Sequence, residues 1–139
     1  MKPGYILLDH PSDIGIEAYG KNLKEAFEEA AFALISIILD TSNIELKETK
    51  YIEIKASDYE HLLVKWLSEI LYLYDGENFV CSEFDIKEIR QDLLKAEIKG
   101  ENFDQAKHLT KLDVKAVTYH QILVCENSER GLVKVFLDI

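Results

Sequence analysis

The sequence predicts an α+β domain, with two amphipathic helices packed on one face of a largely antiparallel or mixed β-sheet. Three observations predict it. Several segments alternate apolar and polar residues with a period of two, and two longer stretches carry apolar residues at helical spacing behind capping residues. Strands and helices share the first half of the chain, whereas a run of strands fills the second, an order that favours α+β over a parallel α/β sheet. At 139 residues the chain is read as a single domain, 1–139, since a chain of this size buries about two-thirds of its unfolded surface.

The elements follow in order. A first strand is read over residues 5–8. From Asp13 onward Ile14, Ile16 and Ala18 alternate with Gly15, Glu17 and Tyr19, which is a half-buried strand. Gly20 breaks it, and Asn22 with Glu25 three residues on reads as a helix N-terminus. The apolar stripe of Leu23, Phe27, Leu34 and Ile38 then carries that helix to about Leu39. "KYIEIKA" alternates again as a strand. Ser57 with Glu60 makes a second capping box, opening a helix from Asp58 to about Tyr74 with Trp66 in its core ridge. Asp75-Gly76 is expected to end it, Gly76 taking the left-handed position. "FDIKEIR" and "LLKAEIKG" are two strands with a turn at Gln91-Asp92. "ENFDQAKHLTK" is a surface loop or a short helix. "LDVKAVTYH", "QILVCE" and "LVKVFLDI" are three more strands, the last two joined by "NSERG".

Composition narrows the function. The net charge is −10, with no basic run and no interleaving of aromatic and basic residues, so autonomous nucleic-acid binding is disfavoured. A cation or a basic protein partner suits an acidic surface better. The longest apolar stretch, "AAFALISIIL", falls short of the ~20 residues of a membrane span, and the N-terminus lacks a secretory apolar region. Cys81 and Cys125 form no CxxC pair, so free thiols in a reducing, cytoplasmic setting are expected. No GxSxG, P-loop, GxGxxG or HExxH motif occurs.

Polar residues converge in two places. Asp13 opens its strand on the row opposite Ile14, Ile16 and Ala18, and Asp138 ends the last strand on the row opposite Val133, Val135 and Leu137. If those strands are antiparallel neighbours, the two carboxylates and that of Ile139 meet. A set of three hard oxygen donors suits calcium or magnesium. If they are not neighbours, Asp13 caps a turn and Asp138 is solvated. In "KAVTYHQ", Lys115, Val117 and Tyr119 share one face and Ala116 and Thr118 the other. Lys115 is then either a solvated lysine or the cation that balances a carboxylate cluster or holds a phosphate oxygen. His10 and His120 are potential ligands or general bases, or else hydrogen-bonded turn residues. His61 and His108 sit in polar sequence surroundings and receive no role.

"HPSDIGIEAYG", "LKEAFEEAAFAL", "LLVKWLSEILYLYD", "KAVTYHQI" and the terminal "VKVFLDI" together, in this order along nearly the whole chain, resemble the archease family. The resemblance implies a non-catalytic partner of the RNA-splicing ligase that joins tRNA exon halves through a GMP-histidine intermediate. It implies that the chain promotes guanylylation and multiple turnover of that ligase. It further implies a divalent-cation site at Asp13, Asp138 and Ile139, calcium more than magnesium, and a functional role for Lys115 with His10 and His120. One departure stands out: the family motif commonly reads His-Thr-Ala-Asp, whereas this chain has His10-Pro11-Ser12-Asp13. Pro11 removes a backbone donor there. Two other classes stay open on the residues alone. One is a metal-dependent phosphoesterase built on His10, Asp13, His120 and Asp138, and the other is a chaperone-like interaction module. The oligomeric state stays open, with a homo-oligomer among the alternatives.

Overall fold

The computed structural model describes residues 2–9 and 12–139, so the expectations for His10 and Pro11 lie outside the described residues. The strands are β1 (Gly4–Asp9), β2 (Asp13–Gly20), β3 (Glu48–Lys55), β4 (Phe79–Arg90), β5 (Leu93–Asn102), β6 (Ala116–Val117), β7 (Leu123–Glu126) and β8 (Gly131–Asp138). The helices are α1 (Leu23–Ile38) and α2 (Tyr59–Glu77), with a 3₁₀ turn at Thr41–Asn43. The predicted α+β class is the observed one, and every strand pairing is antiparallel.

Helix α1 begins where its sequence says. The Asn22 side chain accepts from the Glu25 amide at 3.0 Å, and the Glu25 carboxylate in return accepts from the Lys21 amide at 2.9 Å. Helix α2 departs from expectation at both ends. Asp58, not Ser57, is its N-cap, accepting from the His61 amide at 2.8 Å, while Ser57 contacts the His61 ring. At the other end α2 runs through Asp75-Gly76 to Glu77, and Asn78 takes the left-handed conformation with φ 54°. Asn tolerates that region far better than most residues, so the helix does not have to stop at its first glycine.

The strands form two sheets rather than one. A five-stranded sheet runs β1-β2-β8-β6, with β7 also paired to β8, and a three-stranded sheet runs β3-β5-β4. Each helix touches strands of both sheets. The indole of Trp66, fully buried, donates to the Phe27 carbonyl at 3.0 Å and ties α2 to α1. One hydrophobic cluster draws on both sheets and both helices, with Ile16, Ala18, Val133, Val135 and Leu137 supplying the five-stranded sheet's share. Alternation tells which face of a strand is buried but not which strand lies beside it, so one sheet and two read alike in sequence.

The long strand expected over residues 112–120 shrinks to Ala116–Val117. Before it, residues 103–115 run as an irregular segment anchored by a buried polar knot. His108 is 2% exposed, and Glu101, at the end of β5, is 5% exposed. The Asp104 amide donates to His108 Nδ1 at 2.9 Å, leaving the ring hydrogen on Nε2 to face Glu101 Oε2 at 2.9 Å. The Glu45 amide and the Lys107 ammonium donate to the same carboxylate. His108, given no role from the sequence, is a core anchor that fixes the start of the segment leading to Lys115.

Burial by itself would push the Glu101 carboxyl upward. The donors from Glu45, Lys107 and His108 outweigh it and hold the group at about 2, against an ordinary value of 4.5. A depressed carboxyl contributes stability above its unfolded value and loses it as pH falls toward the folded value. In urea denaturation the wild-type chain is expected to exceed Glu101→Gln in stability by a constant margin above pH 4.5. That margin should shrink steadily between pH 4.5 and about 2.

Candidate functional site

β8 is the strand on which the site is built. On one side it pairs with β2 and on the other with β6 and β7. The β2–β8 register sets Asp13 opposite Asp138, Gly15 opposite Phe136, Glu17 opposite Lys134 and Tyr19 opposite Leu132. These residues share the face turned away from the buried row of Ile16, Ala18, Val133, Val135 and Leu137. The condition left open by the sequence is thus met, and the two aspartates face each other at the end of the sheet. Lower on the same face Glu17 opposes a lysine. At the end, a carboxylate opposes a carboxylate.

That pairing runs against ordinary sheet chemistry, since like charges directly opposite on neighbouring strands destabilise the pair. Oδ1 of Asp13 is moreover buried, while Asp138 is exposed and Ile139 half-buried. Two carboxylates held side by side, one half-withdrawn from water, form a hard-oxygen donor pair of the kind divalent calcium or magnesium takes. Among the described residues no group of three or more His, Cys, Asp or Glu gathers closely enough to hold a metal.

Lys115 reaches the site through its backbone. Its amide donates to the Asp138 carbonyl at 2.8 Å, and Ala116 stands opposite Asp138 on β6. Asp138 is thus flanked by Asp13 on one side and by the Lys115-Ala116 pair on the other. The Lys115 side chain is exposed, and among the described residues no carboxylate lies within ion-pairing distance of it. Val117 opposes Leu137 on the core side and Ala116 opposes Asp138, while Lys115 and Tyr119 lie outside β6.

His120 is exposed just beyond β6, and its ring meets that of Phe136 at 5.7 Å and 62°. Phe136 is 1% exposed although it lies on the face away from the helices. Sequence reasoning missed Phe136 and Gly15 as parts of this end of the sheet. The signal was present as a large aromatic between Lys134 and Asp138 on one row, but its glycine partner could be named only once the register was known.

The fold and this end of the sheet define a class: a small α+β protein whose last strand carries an aspartate against another at the entrance of an earlier strand. A family model described as "Archease protein family (MTH1598/TM1083)" matches residues 5–139. Curated relatives called protein archease include one from Sulfolobus acidocaldarius, 39% identical over 94% of this chain and 95% of its own length. Another, from Methanosarcina barkeri, is 37% identical over 97% of this chain and 95% of its own. The solution structure of Methanobacterium thermoautotrophicum protein 1598 superposes with a TM-score of 0.84 at 33% identity, covering 98% of this chain and 99% of that one. The crystal structure of a Thermotoga maritima archease, described as a "possible chaperone", shares the fold at a TM-score of 0.66 and 22% identity, covering 95% and 94%. The chain belongs to the archease family.

The opposed carboxylates carry a stability prediction of their own. With divalent cations chelated, Asp138→Asn should raise the unfolding free energy by roughly 0.2–1 kcal/mol by removing one of two like charges from a cross-strand pair. Urea denaturation in chelator at low and high salt tests this, the gain being smaller at high salt.

Proposed function

We propose that this chain is a non-catalytic activator of a tRNA-splicing RNA ligase, promoting formation of the ligase's GMP-histidine intermediate and its repeated turnover. What supports the reading is family membership together with the Asp13–Asp138 register, which places two carboxylates and the Lys115 amide at one end of one sheet. Asp13, Asp138 and the Ile139 carboxylate would hold a divalent cation, calcium in preference to magnesium. When bound, such a cation would neutralise the paired carboxylates and offer a positive centre at the tip of the sheet.

The residues of the chain then divide the work. Asp13 and Asp138 supply the negative pair, held in fixed geometry by the β2–β8 ladder. Lys115, anchored by its own amide to Asp138, extends an ammonium that suits a phosphate oxygen of a nucleotide or a carboxylate of the partner. The net charge of −10 favours docking on the basic rim of an enzyme that handles RNA, without the chain itself binding RNA. No helix among the described residues is long and apolar enough to cross a membrane.

The test is RNA ligation with GTP and ligase below the concentration of RNA ends. Wild-type chain should raise product well beyond one equivalent per ligase, while Asp13→Ala and Lys115→Ala should leave it at the level seen with no chain added. No stimulation by the wild type, with phosphoester cleavage by the chain alone, would replace this reading with the metal-dependent hydrolase. Stimulation undiminished in both variants would leave only a chaperone-like contact.

A further inference from the structure

Thr118 sits where β6, β8 and a tight turn meet. Its amide and its hydroxyl both donate to the Phe136 carbonyl, at 3.1 and 2.9 Å. With its hydrogen committed there, the hydroxyl oxygen accepts from the His120 amide at 3.3 Å. Gln121 follows in the left-handed region with φ 51°, and the Ile122 amide donates to the Tyr119 carbonyl at 3.3 Å, closing the turn. His120 is thereby held from both sides of its backbone, by the hydroxyl before it and the turn after it.

The side chain is held as well. Phe136 can lie flat on this face because its cross-strand partner is Gly15: a Cβ there would stand 2.7 Å from Cε1 and 3.0 Å from Cζ of the ring. The His120 ring then meets the Phe136 ring edge-on, and the Lys134 ammonium lies 5.6 Å from the same ring. Phe136 and Asp138 are two residues apart on one face of β8, as Gly15 and Asp13 are on β2. The His120 ring thus contacts the residue two positions from Asp138 on that face of β8.

We infer that Thr118 is the positioning residue of this site, latching the His120 imidazole onto the Phe136 ring beside the Asp13–Asp138 pair, with Gly15 providing the space for that ring. The functional consequence rests on the proposed ligase activation, whereas the placement of the ring does not. Thr118 touches neither carboxylate. It acts through His120.

Two readouts test the inference on the full chain. Carbon–proton correlation spectra report the His120 ring signals, which the Phe136 ring current displaces, and ligase turnover reports function. Thr118→Val removes the hydroxyl but keeps the backbone bond and the shape. It should return the His120 signals toward those of a free imidazole and lower stimulated turnover about tenfold, the scale of one lost hydrogen bond. Thr118→Ser should match the wild type in both. If Thr118→Val does not fold, Thr118→Ala removes the same hydroxyl with a smaller side chain and is read by the same two measurements. His120 signals unmoved in the folded variant, or moved with turnover unchanged, would overturn the inference. If even the wild type stimulates no ligase, the proposed function falls, and the His120 signals alone decide whether Thr118 holds the ring.

Discussion

The antiparallel pairing of β2 with β8 is the constraint on which the rest depends. It joins residues far apart in sequence, from Asp13↔Asp138 to Gly20↔Gly131, and a shift by one residue would turn Asp13 and Glu17 into the core while exposing Ile16 and Ala18. The fully buried row of Ile16, Ala18, Val133, Val135 and Leu137 therefore fixes the register, and the register in turn fixes the site. The packing that stabilises the sheet is the same packing that holds two like charges together at its end. Such an arrangement is tolerable because the apolar row contributes far more than a surface charge pair removes.

Around that pair the chain builds outward through a series of contacts. Gly15 leaves room for Phe136, Phe136 supports His120, and Thr118 binds the His120 turn back to β8. On the other flank the Glu101–His108 contact pins residues 101–108, from which the irregular segment runs to Lys115. Both flanks reach the Asp13–Asp138 end through hydrogen bonds to the β8 backbone, at the Asp138 carbonyl for Lys115 and at the Phe136 carbonyl for Thr118. A single central strand thus organises an acidic pair, a lysine and an imidazole from three parts of the sequence.

How legible this was in the sequence varied with the range of the interaction. Local signals read well: Asn22 as a cap, the alternation from Asp13, and the Gln91-Asp92 turn all appear where predicted. Asp13 and Asp138 could be named as a potential pair because each sits on the polar row at the end of its strand. Their meeting required a partner choice across the chain that period-two alternation does not encode. The end of α2 at Asn78 and the burial of His108 were missed for a related reason. A glycine is a sufficient stop but not a necessary one, and a histidine within polar sequence is buried only when a distant carboxylate such as Glu101 receives it. Beyond Val117 the strand expected to run to residue 120 stops where the Thr118 hydroxyl takes the His120 amide.

The most direct measurement is calorimetric titration of the purified chain with calcium, comparing wild type, Asp13→Asn and Asp138→Asn. The account predicts one saturable site in the wild type, weakened at least about tenfold in each variant because each removes one of the two carboxylates that define it. Binding that is equally tight in both variants, or no binding by the wild type at millimolar calcium, would contradict it.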